Sequence, residues 1–394
     1  MMCISAQYFH LNRILLLIIG LWPYQQSKLD RLRFIFFLGI LTTAILFQFT
    51  TFFSSKCTAN FIVKVLSNAC FFNIYDTLYL FAINIKTVKD LLTQLQYVYD
   101  EIKDECENAI VEKYNSNAKR YTKALTAVSI CGTSALIIAQ LWSNIIDVIL
   151  PINISQPHRL PIMTEYFVDQ EKYYILIFLH LNAAFCIGVA GMVSVGTMLI
   201  AYLEHTCGLF QISSYRIKRA MRLIILQNIN PKNDILLEEI KYAVHIHRQA
   251  MKLSKATVSK FEAMLFCLIT TGIISLSLNL FQIFRIASIE DNINEIIIPC
   301  IFVFNSILYM FCANYVGQNV TDYNNHVFDT VYNVQWYIAP LHIQKLILFL
   351  LQRGTKAFDN LVIIGGLFVG SLEGFATLVS ASISYFAFLY STRQ

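Results

Sequence analysis

The chain has 394 residues, of which 56% are hydrophobic and only 14% charged, and it contains 30 Phe and 21 Tyr. Soluble domains carry about 25% charged residues, so this composition excludes a soluble fold, which would lack a surface to keep it dissolved. The net charge of +5 suits loops that face an anionic lipid leaflet and does not point to nucleic acid.

In chain order, the stretch ILLLIIGLW at residues 14–22 is too short to span a bilayer and is expected as an interfacial or re-entrant helix. Seven apolar runs of spanning length follow, at about residues 34–53, 65–85, 124–150, 173–202, 262–284, 296–317 and 361–390. The first starts after a 33-residue leader and lacks a small-residue cleavage pattern, so it is not a signal peptide. Residues 86–123 alternate acids and bases at helical spacing, and residues 203–261 form a long basic amphipathic pattern. Such helices are either solvated faces or a platform for assembly below the membrane. The connector at 150–172 holds Pro151, Pro157 and Pro161, which suit an extended lid or a plain link.

Lysine and arginine orient the bundle. Residues 1–33, 86–123, 203–261 and 318–360 hold 24 of the 30, and the other connections and the tail hold 6. The positive-inside bias places the N-terminus in the cytoplasm and the C-terminus outside, the reverse of a G-protein-coupled receptor. The sequence therefore predicts an all-α membrane protein of seven transmembrane helices with extended cytoplasmic helices. It reads as a single domain over 1–394, with a cytoplasmic segment at 1–33. Asn153-Ile154-Ser155 is a glycosylation sequon that falls on the outer side, with Asn153 the acceptor, whereas the sequon at Asn319 falls inside.

The ten cysteines are scattered without a CxxC pair or a Cys/His cluster. His205, His245 and His247 read as ordinary polar histidines. No phosphate loop and no nucleophile–base set can be assembled. No metal, no cofactor and no enzymatic activity are expected.

Two regions carry polar groups within apolar runs. Asp76 is the one acid deep in the second run, either paired with a neighbour or functional. Gln140, Asn144, His180 and Asn182 lie in the outer halves of the third and fourth runs with Tyr75, Trp142 and Tyr174. Together they would form an aromatic pocket with a few polar handles, while Tyr173 suits an interfacial belt. On a helical wheel started at Gly366, the last run gathers Gly370, Glu373, Gly374, Thr377, Ser380, Ala381, Ser384, Phe388 and Ser391 on one slim face. Leu367, Phe368, Leu372, Phe375, Leu378, Val379, Phe386 and Leu389 fall on the other. The repeat Gly366-xxx-Gly370-xxx-Gly374 suits close helix packing. The alternative is a water-filled path with an apolar constriction at Phe388. Periodicity by itself favours packing.

The closing stretch SYFAFLYST, with Ser384-Tyr385, five apolar residues and Ser391, resembles the terminal signature of the insect odorant receptors. Cys312, Gly317, Tyr332 and Trp336 are similar to that family's sixth-helix and following pattern. The resemblance implies an odorant-gated, non-selective cation channel that works as a heterotetramer with the shared olfactory co-receptor in the plasma membrane of a sensory dendrite. It implies that segments 203–261 and 318–360 form the cytoplasmic anchor between subunits. The slim face would then line the pore through Glu373, Thr377, Ser384, Phe388, Ser391 and Thr392, with Phe388 as gate. Phe388 and Ser391 depart from the aliphatic residue and glutamine of the co-receptor. The chain also lacks the co-receptor's long insertion between helices 4 and 5, which makes it a ligand-tuning subunit. Odorant would bind among Phe72, Tyr75, Ala135, Ile138, Trp142, Ile177, Leu181, Phe304 and Leu308. With almost no charge there, the expected ligand is an uncharged hydrophobic volatile or a pheromone-like lipid. A gustatory-type receptor channel shares the ending and is the alternative.

Overall fold

The computed structural model describes residues 8–24, 27–51, 70–149, 164–227, 233–289, 296–357, 363–364 and 368–392. Among them the chain is almost entirely helical. The elements are α1 (His10–Ile19), α2 (Lys28–Phe49), α3 (Cys70–Ile83), α4 (Ile85–Asp100), α5 (Glu105–Ile149) and α6 (Tyr174–Gln227). They continue with α7 (Asn233–Ile289), α8 (Ile297–Asn333), a 3-10 turn at Trp336–Ile338, α9 (Leu341–Ala357) and α10 (Leu372–Ser391). Between α9 and α10 a short antiparallel pair, β1 (Ile363–Ile364) and β2 (Phe368–Val369), sets Ile363 opposite Val369.

Six described helices, α2, α5, α6, α7, α8 and α10, are long and apolar enough to cross a membrane. The run expected at 65–85 is described only over α3, 14 residues. With 45, 54 and 57 residues, helices α5, α6 and α7 extend about 65–85 Å at 1.5 Å per residue. That is more than twice the roughly 30 Å of bilayer hydrocarbon. The stretch 203–261 is therefore built from continuations of α6 and α7, whereas the stretch 86–123 divides into the separate helix α4 and the first part of α5.

Those continuations meet. The larger buried cluster gathers Leu92 and Leu95 of α4, Tyr114 and Ala118 of α5, Leu209 and Phe210 of α6, Ile246 and Leu253 of α7, Val327 of α8 and Ile343 of α9. Hydrogen bonds tie the same region: Ser213 Oγ donates to the Ala243 carbonyl at 2.9 Å, and His247 Nε2 lies 2.9 Å from Asn324 Oδ1. The basic end of the bundle is thus packed like a soluble core, which accounts for alternating apolar and polar residues in a region that composition leaves ambiguous.

Helix α1 belongs to this assembly rather than standing apart, since Phe9, Leu16, Ile19, Leu21 and Trp22 are buried. It ends at Gly20, whose φ of 84° is the left-handed conformation that glycine adopts without steric cost. The reversed chain enters α2 through a capping box. Ser27 Oγ accepts the Asp30 N–H at 3.1 Å while the Asp30 carboxylate accepts from the Ser27 N–H at 3.2 Å.

The last helix corrects the sequence reading. Expected from residue 361, it begins at Leu372, where Ser371 Oγ accepts the Gly374 N–H at 2.9 Å as an N-cap. Gly370 precedes the helix and Gly366 lies outside the described residues, so the Gly366-Gly370-Gly374 repeat is not a helix-packing stripe. Gly370 serves a different contact: a Cβ on Gly317 of α8 would meet the Gly370 carbonyl oxygen at 2.5 Å. The backbone segment entering α10 is pressed directly against α8, and only glycine at 317 admits it.

Candidate functional site

A cleft opens between α5, α6 and α8, at the end opposite the basic core. It is lined by Leu136, Gln140, Leu181, Asn182, Phe185, Ile298 and Phe302. Each helix contributes residues one turn apart: 136 and 140, 181 and 185, 298 and 302. The space inside is about 20 Å³, room for a water molecule but not for an odorant without side-chain movement. The lining carries no charge. Its polar groups are two amides. Gln140 Oε1 is buried without a hydrogen-bond partner among the described residues. Asn182 Nδ2 donates to the Phe178 carbonyl at 2.9 Å.

Of the residues proposed for ligand contact, Leu181 lines this cleft. Ile177, one turn earlier on α6, is buried, and Leu308 is half-buried without reaching it. Ala135, Ile138 and Phe304 face outward, Ile138 and Phe304 being 60% and 58% exposed. Tyr75 is half-buried and stacks on Tyr79 at 6.0 Å rather than on the cleft. The side chains of Phe72 and Trp142 and the sequon at Asn153 lie outside the described residues. Gln140 and Asn182, singled out as polar handles, are in the cleft wall. Leu136, Phe185, Ile298 and Phe302 were not anticipated. The signal that would have found them, the i and i+4 partners of the two amides, is weak in helices that are apolar all round.

His180, the third handle, sits elsewhere at the same end. Its Nδ1 is 2.7 Å from the Tyr166 hydroxyl and its Nε2 is 3.0 Å from Thr43 Oγ1. Tyr166 also stacks on Phe47 with ring centroids 4.1 Å apart. The Glu165 N–H donates to the Phe47 carbonyl at 2.9 Å, and Thr50 Oγ1 donates to the Glu165 carbonyl at 2.6 Å. The segment preceding α6 is therefore pinned across the end of α2, close to where the cleft opens.

Helix α10 has two distinct faces. Leu378 joins Ile269, Ile273 and Leu276 of α7 and Met310 of α8 in one buried cluster, with Phe375 packed beside it. Ser382, 0% exposed, receives a hydrogen bond on its carbonyl from Ser277 Oγ at 3.0 Å. Phe386 packs on Phe284 with centroids 4.9 Å apart. The other face, Glu373, Thr377, Ser384, Phe388, Ser391 and Thr392, is exposed, Phe388 at 64%. Among the described residues this face is exposed rather than buried against a neighbouring helix. Thr377, Ser384, Ser391 and Thr392 each donate back to a carbonyl of α10 itself.

At the basic end, a charged clamp joins the long helices. Arg216 of α6 bonds both Glu107 of α5 and Glu239 of α7, the latter at 2.8 Å, and its guanidinium lies 4.6 Å from the Tyr242 ring centre. Arg219 bonds Asp104, just before α5. Burial acts to raise the Asp104 carboxyl, but the Cys106 N–H and the Arg219 guanidinium outweigh it and hold it below the usual carboxylate range. No group of three or more metal-ligating side chains occurs among the described residues, and the described cysteines are free thiols.

Comparison with known proteins places this architecture. The family model of the 7tm odorant receptors matches residues 57–383. The insect olfactory receptor OR5 from Machilis hrabei, solved in complex with eugenol, is similar over 99% of this chain and 98% of its own, with a TM-score of 0.78 at 14% identity. A second structure of OR5 from Machilis hrabei is similar over 98% and 97%, with a TM-score of 0.75 at 14% identity. No curated protein matches the chain in sequence. With the family model spanning most of its length, the chain belongs to the 7tm odorant receptor family, and it is a multi-pass membrane receptor subunit rather than an enzyme.

Proposed function

We propose that this protein is the ligand-tuning subunit of an odorant-gated, non-selective cation channel, assembled with the olfactory co-receptor in the plasma membrane of a sensory dendrite. The basic end of the bundle lies in the cytoplasm and the C-terminus outside. The observation that carries this reading is α10. A spanning helix with its apolar face packed on α7 and α8 leaves a face of Glu373, Thr377, Ser384, Phe388 and Ser391 with nothing to cover it inside one chain. Hydroxyls and a carboxylate facing lipid are unfavourable, so that face belongs against water or another subunit. Several such helices around an axis would enclose an ion path, with Phe388 as its apolar gate.

The cleft between α5, α6 and α8 is the ligand site in this reading. Its uncharged wall suits a small uncharged hydrophobic molecule, and eugenol bound to the Machilis hrabei receptor is of that kind. Ile177, one turn before Leu181 on α6, stands as a further wall position, and Phe72, Tyr75 and Trp142 stay as proposed contacts from the sequence. Affinity would come mainly from apolar area, at about 25 cal/mol per Å². The test is whole-cell recording from cells that express the chain with the co-receptor, under an odorant panel. Ligand-evoked cation current is expected, and Phe388→Ala should raise basal current. Silence to the whole panel, with both subunits shown at the surface, would refute the reading.

A further inference from the structure

Resting on the assignment of the cleft as the ligand site, we propose that this receptor selects apolar ligands bearing a hydroxyl group, and that Gln140 is the residue that reads it. The cleft wall is otherwise leucine, isoleucine and phenylalanine, with no charge and no side-chain hydroxyl. Its two polar groups both offer carbonyl oxygens. Gln140 Oε1 is buried and has no donor among the described residues. Asn182 spends one of its two amide N–H groups on the Phe178 carbonyl of its own helix. The buried oxygen of Gln140, which has no donor among the described residues, is complementary to a molecule that donates. A buried acceptor without a donor is costly, and that cost is relieved only by an occupant with an O–H.

The empty cleft has room for about one water. Water there can donate to Gln140, and a ligand that displaces it loses affinity unless it replaces that bond. An alcohol or phenol replaces it. A hydrocarbon or an ether of the same skeleton cannot donate at all. Discrimination of this type is steeper than that given by an extra methylene, because the mismatch strands a protein group and not just some area.

Matched pairs provide the test: octanol against octyl methyl ether, and an alkylphenol against its methyl ether. Each is applied to cells that express the chain with the co-receptor, with surface level measured in parallel. In the wild type the hydroxyl member of each pair should be more potent by about tenfold, the scale of one hydrogen bond to a buried group. Gln140→Met, which keeps the side-chain length, should bring the two members to within about twofold while leaving the ether response in place. Gln140→Leu is the second variant if methionine does not reach the surface. Phe302→Ala, which removes apolar wall, should weaken both members alike. Equal potency within the wild-type pairs would overturn the proposal, as would a gap that survives Gln140→Met or Gln140→Leu at normal surface level; the channel reading would stand in either case. Absence of current to every compound from a surface-expressed complex would overturn both.

Discussion

Arg216 is the residue on which most of the basic end depends. Glu107 is 0% exposed, one of its oxygens already lacks a partner, and Arg216 supplies the cation beside it. The pair adds little over a well-packed apolar replacement of both, but removal of one member strands a buried charge, at about 3–5 kcal/mol. Arg216→Met should therefore lower the thermal unfolding midpoint of the detergent-solubilised protein and reduce its surface level. Glu107→Gln combined with Arg216→Met should recover part of that loss, since the fully buried carboxylate is gone. An unchanged midpoint in the single variant would show that the clamp is dispensable. The three histidines read from sequence as ordinary polar groups divide here: His205 is buried with its Nδ1 2.9 Å from the Tyr99 hydroxyl, His247 is half-buried against Asn324, and the exposed His245 lies 3.6 Å from Glu101.

At the scale of the element, α10 offers an internal control because it carries hydroxyls on both faces. Ser382 is buried between α10 and α7, while Ser384, two residues on, is exposed. Ser382→Leu forces extra volume into a packed site, at about 1–3 kcal/mol, and should cut surface expression. Ser384→Leu should leave expression near wild type yet reduce evoked current, because it changes only the face proposed to line the ion path. Surface biotinylation and current density, measured together, separate the two. If both variants behave alike, the faces are not functionally distinct. The same helix shows where the sequence was legible. Of the apolar face read on the wheel, Phe375, Leu378 and Phe386 pack on neighbouring helices at the 3.6-residue period, whereas Leu372 is exposed. The helix start was not legible. The stretch from 361 is apolar enough to extend a span, and hydropathy does not distinguish a strand pair from another helical turn.

At the scale of the whole molecule, the basic end still presents apolar surface. Leu341 and Leu348, two turns apart on α9, are 67% and 49% exposed, beside exposed Tyr337 and Ile338. On the proposed orientation this end lies outside the bilayer, where such a patch is a candidate interface. It accords with the anchor role expected for 318–360. Replacement of Leu341 and Leu348 by serine touches no core residue and should leave the fold within about 0.5 kcal/mol of wild type. The complex with the co-receptor should nevertheless dissociate on native-size analysis in detergent. A complex of unaltered size would move the interface elsewhere.

Composition and run length by themselves determined that this protein is a helical membrane protein, and roughly where its spans lie. The terminal signature pointed to the family that residues 57–383 then matched. Two-faced segments, α10 and the amphipathic continuations of α6 and α7, were readable because one side packs on protein and the other carries polar side chains that the chain leaves exposed. Tertiary structure alone decided which sides of α5, α6 and α8 form the cleft. Leu136 and Phe302 point into it, while Ala135, Ile138 and Phe304, within two residues of them in sequence, point out. The physical reason is that lipid tails and a protein interior are equally apolar. A helix placed between them shows no hydrophobic period, so its rotation is set by the neighbours it packs against.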